Sequence, residues 1–411
     1  MSSVAPLSHG VNDHLADATL TLNAGLTPDP VTRAIAPNIA MSVNNVFTPG
    51  EGGFSADGVQ DLTRLPFLYA GWTNPTVRQL ELRIAALEHT DDALATASGT
   101  AAAAAVFFSL LKAGDHLILS DVCYAGIHEL ARKLLPDYGI EVSTVNLSRL
   151  DEVAAAIRPN TRLIHAESPC NPLLRLTDIS GLAAIARAHG VLLAVDSTFA
   201  TPVATCPIDL GAHLVIHSLT KFMNGHGDAM GGCVAGSKAL VERIRSRAGV
   251  YLGATLSAQN AWLIMRGLDT LVVRMKAMSA SALQIAAYLQ SHPAVESVMY
   301  PGLESHPQHA LAQAQMRIPG ALIVFQVRNP DVVVMRLAQE ARVFDHAFSI
   351  GHQRSLVVLL KTQDLLNSSF DLSPEQLADY RRYAGEGVLR LSIGLEDTQD
   401  LINDLDRALR A

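Results

Sequence analysis

The sequence predicts an α/β fold, with a mostly parallel sheet covered by helices on both faces and a smaller α/β C-terminal domain. Three observations carry this expectation. Between residues 115 and 221, short apolar runs alternate with segments of helical periodicity, the pattern of strands joined by crossover helices. Three of those runs end in polar groups, Glu167, Asp196 and the pair Ser218 and Lys221, at the carboxyl ends of strands where open parallel sheets collect ligands. Finally, 411 residues, 49% hydrophobic and 17% charged, suffice for a large core divided between a big and a small domain. The expected division is an N-terminal arm over 1–60 that contacts a neighbouring subunit, a large domain over 61–255, and a linking helix with the C-terminal domain over 256–411.

In chain order, residues 1 to about 18 are small and polar and read as a loose arm, followed by a stretch punctuated by Pro and Asn and a Gly-rich loop up to Gly58. The first clear helix starts at Asn74, a good N-cap, with Pro75 at its first position and Val77, Leu80, Ile84 and Leu87 at helical spacing. Ser98 and Gly99 then precede an alanine-rich helix, whose free first-turn N–H groups can face an anion. Strands are expected at DHLILS, EVSTVN, RLIHAE and VLLAVD, and helices over 124–135 and over GLAAIARAHG. After Gly236 comes a helical run, then one long helix ending near Pro293. The C-terminal part reads as a strand at ALIVFQVR, a helix after Pro330, a strand at RSLVVLL, a loop, a strand at VLRLSIGLE and a final helix from Asp397.

Composition narrows the function. A net charge of -8 leaves no basic footprint for nucleic acid, so a small metabolite is the expected partner. Cys123, Cys170, Cys206 and Cys233 lie far apart without a C-x-x-C pair, which argues for reduced thiols in a cytoplasmic protein and against a disulfide scaffold or a zinc site. His213 and His217 fall on an apparent strand, where their spacing suits a structural role better than a metal. No stretch approaches the roughly 18 unbroken apolar residues of a membrane span, and the first residues carry no basic segment followed by an apolar run.

The chemistry centres on VIHSLTKFMNGHGDAMGG, residues 215–232, where Lys221 lies among Ser218, Thr220 and four glycines. Such a lysine can be an ordinary surface residue, an anion holder, or the amine that forms an imine with pyridoxal 5'-phosphate, a cofactor that also needs phosphate donors close by. The polar strand ends at Glu167 and Asp196 favour the last reading.

Seven motifs then occur in one order: NPT, SG-x-AA, ESP-x-NP, VD-x-T-x-ATP, HS-x-TK-x-x-NGH, RGL-x-TL and RLSIGLED. By these the chain resembles, from about Thr19 to its C-terminus, the trans-sulfuration (Cys/Met metabolism) family of pyridoxal-phosphate enzymes, with wording nearest to methionine γ-lyase, cystathionine γ-lyase and cystathionine γ-synthase. The resemblance implies the fold type I of pyridoxal-phosphate-dependent transferases. It also implies roles: Lys221 holds the cofactor and moves protons; Asp196 pairs with its ring nitrogen; Tyr124 stacks on the ring; and Ser98, Gly99, Thr100, Ser218 and Thr220 bind its phosphate. Glu167, Thr198 and Asn171 complete the cofactor's surroundings, while Arg390, Ser349, Phe348 and Asn171 face the substrate. Tyr69 is expected to reach a neighbouring subunit's cofactor and help the leaving group depart, so that a dimer is the minimum unit and a tetramer the usual one. No metal is implied.

Four departures from the family pattern are visible. Gly71 stands where an arginine normally grips the phosphate, with Arg64, earlier in the chain, the candidate to replace it; Gly126 replaces a cysteine common near the stacking tyrosine; Phe348 replaces a glutamate of the cystathionine γ-lyase branch; and Arg354 with Leu359 and Leu360 replaces a glutamate and a His-Pro pair. Phe348 suits a substrate without a distal ammonium, such as methionine or an O-acylated homoserine. The expected activity is γ-elimination on a four-carbon amino acid with a leaving group at Cγ, giving 2-oxobutyrate and ammonia. The alternatives are γ-replacement by the same chemistry and a non-catalytic, cofactor-binding regulator.

Overall fold

Two sheets organise the chain in the computed structural model, which describes residues 15–26, 28–50, 55–56, 61–65 and 67–410. Residues 1–14 of the expected arm and most of the Gly-rich loop up to Gly58 lie outside the described residues. The larger sheet is built from β1 (Asp92–Thr96), β2 (His116–Ser120), β3 (Glu141–Val145), β4 (Thr161–Glu167), β5 (Leu192–Asp196), β6 (Leu214–His217) and β7 (Gly232–Gly236), in the order β1-β7-β6-β5-β4-β2-β3. Its run β6-β5-β4-β2-β3 is parallel, and β7 is antiparallel to both neighbours. The second sheet contains β8 (Val295–Met299), β9 (Leu322–Val327), β10 (Asp345–His346), β11 (Leu356–Lys361) and β12 (Gly387–Ser392), ordered β10-β11-β12-β9-β8 and mostly antiparallel. The expected α/β architecture, one mostly parallel sheet and a smaller second one, is therefore what the chain forms.

The strands of the large sheet are apolar on both faces because both faces are covered. Leu117, Leu119 and Leu163 pack with Ala103, Val106 and Phe107 of the helix Gly99–Leu110, whereas Ile118, Ile164 and Leu193 pack with Leu182 and Ala186 of the helix Ile179–His189. Caps fix the helix starts as expected. Asn74 Oδ1 accepts from the N–H groups of Thr76 and Val77 at 2.9 and 3.2 Å, with Pro75 opening the helix Pro75–Leu87. Ser98 Oγ accepts from Ala101 N at 3.1 Å.

Several elements differ from expectation. The single long helix before Pro293 is two, Ala258–Asp269 and Leu271–Ser291, because Thr270 N–H bonds to Gly267 O at 3.3 Å, a three-residue step that interrupts the helical ladder. The loop expected after β11 holds the helices Thr362–Ser368 and Pro374–Ala384, the second started by a reciprocal capping box between Ser373 and Gln376. The helix expected over 124–135 is a short α-helix, Ala125–Glu129, that widens into a π-turn, Leu130–Leu134. Residues 17–23, expected in the end of the loose arm and the start of the punctuated stretch after it, form the helix Asp17–Asn23, which buries Leu20. His213 precedes β6 rather than lying on it, and accepts from Leu193 N; His217 closes β6 in a buried contact with Glu88 at 2.6 Å. All four cysteines are buried and free. No helix among the described residues is long and apolar enough to cross a membrane.

Candidate active site

The carboxyl ends of β4, β5 and β6 open on one cavity of about 250 Å3. Its walls include Ser98, Gly99, Thr100, Tyr124, Glu167, Asn171, Asp196, Thr198, Ser218, Thr220, Lys221, Phe348 and Arg390, so residues spread over nearly 300 positions of the chain meet in one place. Parallel pairing puts Glu167 beside Asp196, and β6 next to β5 delivers Ser218 and Lys221 just beyond the sheet edge. Arg390 comes from β12 of the second sheet.

One end of the cavity suits an anion. Ser98 caps the helix Gly99–Leu110 through Ala101 N, which leaves the N–H groups of Gly99 and Thr100 directed outward at the positive end of the helix. A Cβ at Gly99 would lie 2.8 Å from Ser218 Cβ, so only glycine lets that turn close on the Ser218 hydroxyl. The Thr220 hydroxyl is engaged with Gly231, donating to its O and accepting from its N at 3.1 Å each, and so braces the loop.

Opposite lies a set of acids and bases that do not cancel one another. Asp196 Oδ1 accepts from Thr198 N and Oγ1 at 2.9 and 2.6 Å, while Thr198 Oγ1 accepts from Ser218 N at 2.8 Å. Glu167 accepts from Tyr124 N at 2.7 Å and from Asn171 N at 2.6 Å, holding both residues at the rim. Burial first, and the neighbouring Asp196 charge second, push the Glu167 carboxyl up to about 8 against the pull of those two N–H bonds. Arg390 Nη1 donates to Asn171 Oδ1 at 2.5 Å, and burial lowers its guanidinium to about 10. Burial and then the Arg390 charge also lower the Lys221 amine, whose Nζ lies 3.4 Å from Ser349 Oγ.

The remaining predicted residues fall as follows. Tyr69 does not reach this cavity; it forms an isolated bridge with Asn44 and is 51% exposed. A Cβ at Gly71 would lie 2.4 Å from Tyr69 Cε1, so the tyrosine ring fills the space that a longer side chain at 71 would need. Tyr124 lies over Gly126 in the same way, with 2.8 Å from its Cε1 to a Cβ built there. Arg64, the candidate to replace the arginine that Gly71 lacks, is exposed and paired with Asp61. Phe348 stands at the mouth, 78% exposed. Sequence reasoning did not single out Ile127, Phe199, Met230 or Ile350, which line the same cavity. Phe199 and Ile350 are chain neighbours of Thr198 and Ser349, and that adjacency was the available signal; Met230, exposed in the loop before β7, had none.

One further cluster went unnoticed. His89, Cys206 and Asp209 bring three ligand-type atoms within 4.8 Å. Arg317 Nη2 already sits 2.9 Å from Cys206 Sγ, and burial pushes that thiol well up, so a cation of the chain itself occupies the place.

The donors of the cavity at the strand ends fit pyridoxal 5'-phosphate on their own chemistry. A half-buried amine without a carboxylate partner among the described residues, a carboxylate with one oxygen not engaged by Thr198, and a capped helix N-terminus are the three groups that an aldehyde, a protonated ring nitrogen and a phosphate require. Comparisons agree. The profile of the family described as Cys/Met metabolism PLP-dependent enzyme matches residues 18–410. The chain is 40% identical over 402 residues to a canavanine γ-lyase of Pseudomonas canavaninivorans, covering 96% of each protein. It is 43% identical over 348 residues to an O-succinylhomoserine sulfhydrylase of Pseudomonas aeruginosa, covering 84% of each. The crystal structure of a cystathionine γ-lyase from Lactobacillus plantarum, complexed with L-serine, superposes with a TM-score of 0.84 at 32% identity, over 96% of this chain and 98% of that one.

Proposed function

Because the chain belongs to the family of Cys/Met metabolism PLP-dependent enzymes, we propose that it catalyses γ-elimination on a four-carbon amino acid carrying a leaving group at Cγ, releasing 2-oxobutyrate and ammonia. The observation that carries this reading is the pairing, across one cavity, of a lysine amine with a depressed pKa and a buried arginine that forms no ion pair among the described residues.

Asp196, Tyr124, Ser218 and the N–H groups of Gly99 and Thr100 hold the cofactor, which when bound supplies the electron sink for a carbanion at Cα. Arg390 takes the substrate carboxylate in a forked contact. Lys221, its ammonium form disfavoured by burial and by Arg390, removes the Cα proton and then a Cβ proton. Phe348 and Met230 make the mouth apolar, which supports a thioether or an O-linked group at Cγ rather than a distal ammonium. Tyr69, exposed away from this cavity, acts in the site of a second copy, so the working unit is at least a dimer.

A second reading, γ-replacement by an added thiol, is favoured by the 43% identity to a sulfhydrylase. One experiment separates the two. Purified, cofactor-loaded protein is offered methionine, cystathionine, O-acetylhomoserine and canavanine, each with and without a thiol, and 2-oxobutyrate is measured. Elimination is expected to release it without thiol; release suppressed by thiol, with a new amino acid formed, overturns elimination in favour of replacement.

A further inference from the structure

We propose that His352 exchanges protons between Lys221 and solvent through the hydroxyl of Ser349. The inference rests on the reading of Lys221 as the base. A base that moves protons at two carbons must pass to solvent whatever proton it does not return to the substrate or the cofactor, so Lys221 needs an outlet. Ser349 Oγ lies 3.4 Å from Lys221 Nζ and 3.2 Å from His352 Nε2, and among the described residues no carboxylate hydrogen-bonds to Nζ. A hydroxyl between two nitrogens accepts from one and donates to the other. In the outward transfer an Nζ–H bond breaks as an Oγ–H bond forms, the proton already on Ser349 passes to Nε2, and Nδ1 releases its proton to water. The reverse path brings one in.

The surroundings keep the imidazole in place and in the neutral form that can accept. His352 is half-buried, and its ring lies against Gly227, where a Cβ would come within 2.5 Å of Cε1. Gly227 has φ +70°, so this turn of the loop after Lys221 is shaped around the ring. The charged groups bearing on the imidazole are Lys221, Asp228 and Asp345, the last paired with Arg354 at 3.4 Å. Burial first and the Lys221 charge second hold its pKa below the usual histidine range, with the two aspartates opposing. His352 acts through Ser349 and is a positioning residue, so its test needs readouts that a structural role would not move.

Two variants and two measurements provide them. In cofactor-free protein mixed with pyridoxal 5'-phosphate, the pH dependence of the growth of the visible band reports the acidity of the Lys221 amine. His352→Ala, which removes the acceptor at the end of the chain, should lower that apparent pKa by about half a unit or more, while His352→Gln, whose carbonyl still accepts, should leave it in place. In the loaded enzyme, loss of the alanine Cα proton to D2O, followed by NMR, reports proton exchange. It should fall about 10-fold or more in both variants, because an amide cannot pass a proton on, and added imidazole should restore it in His352→Ala only. Washout in His352→Gln within about twofold of the unsubstituted protein overturns the proposal. A failure of the unsubstituted protein to develop the visible band overturns instead the reading of Lys221 on which it stands.

Discussion

Two buried clusters of acids and bases, one of them with Glu242 also 3.6 Å from Arg245 Nε, behave in opposite ways. Arg78, Glu81, Asp92 and Arg245 join the helix Pro75–Leu87, β1 and the turn Arg245–Gly249. Arg245 Nη1 reaches both oxygens of Glu81 at 3.0 Å and its Nη2 reaches Asp92 at 3.4 Å, while Arg78 Nη1 spans Glu81 at 3.0 Å and Asp92 at 2.5 Å. Burial works against the Arg245 charge, but Glu81 and Asp92 more than offset it and hold the guanidinium above its ordinary range. In the site, Lys221, Arg390, Glu167 and Asp196 share one cavity without such pairing: Arg390 donates to an amide, Lys221 to a hydroxyl, and Glu167 accepts from backbone N–H groups. There burial disfavours the charged forms of Lys221, Arg390 and Glu167. Charges that are cancelled in pairs hold shape. Charges left uncancelled are available to a ligand.

The largest break in this comparison comes from Lys221→Ala. It should lower turnover by about 10^4-fold, the upper range for loss of a positioned acid–base group, without lowering the urea midpoint of the cofactor-free protein. A fall in that midpoint would place Lys221 with the structural cluster. Arg245→Met should do the reverse. Leaving Glu81 and Asp92 buried with one cation too few should cost about 3–5 kcal/mol of stability, read by urea unfolding, while kcat of the folded fraction stays unchanged.

Arg390→Lys tests the site with its charge retained. A lysine cannot reproduce the forked contact, so kcat/KM should fall by about 10- to 100-fold, the equivalent of one lost charged hydrogen bond of about 1.5–3 kcal/mol, and most of the loss should appear in KM. An unchanged KM would mean that another group carries the substrate carboxylate.

The two clusters also differ in how far the sequence announced them. The site was legible because its residues stand at punctuated positions: Ser98 before an alanine helix, Glu167 and Asp196 at the ends of apolar runs, Lys221 between hydroxyls and glycines. The structural cluster was not, because Glu81 and Arg78 read as the polar face of an amphipathic helix and Arg245 as one charge among several in RIRSRAG. Only the antiparallel pairing of β1 with β7 brings them together. The strand β7 itself was hidden in a glycine-rich stretch that reads as loop, and β1, DALAT, is too short and alanine-rich to suggest a strand. The helix Pro374–Ala384 did carry a signal, Ser373 and Gln376 at capping-box spacing, within a segment read as loop.

A third fate for a buried ionisable group sharpens the comparison at its smallest effect. His165, on β4 beneath Glu167, has no hydrogen-bond partner among the described residues for either ring nitrogen and packs edge-on against Phe107 at 5.3 Å. Burial lowers its pKa from 6.5 to about 4, with Asp196 pulling weakly the other way. It is therefore neutral in the folded protein, and its contribution to stability is complete above pH 6.5. As pH falls below 6.5 the unfolded chain takes up a proton that the folded chain refuses, so stability declines until the folded pKa near 4 is passed. One such histidine accounts for about 1 kcal/mol between pH 6.5 and about 5.5. His306, also lowered to about 4 by burial, adds a similar slope. His165→Leu should remove close to half of the decline shared by these two histidines while costing little at pH 7.5, because neither ring nitrogen has a bond to lose. Urea unfolding of both proteins across this range checks it; an unchanged slope would mean that His165 is protonated in the folded state and belongs with the charged groups of the site.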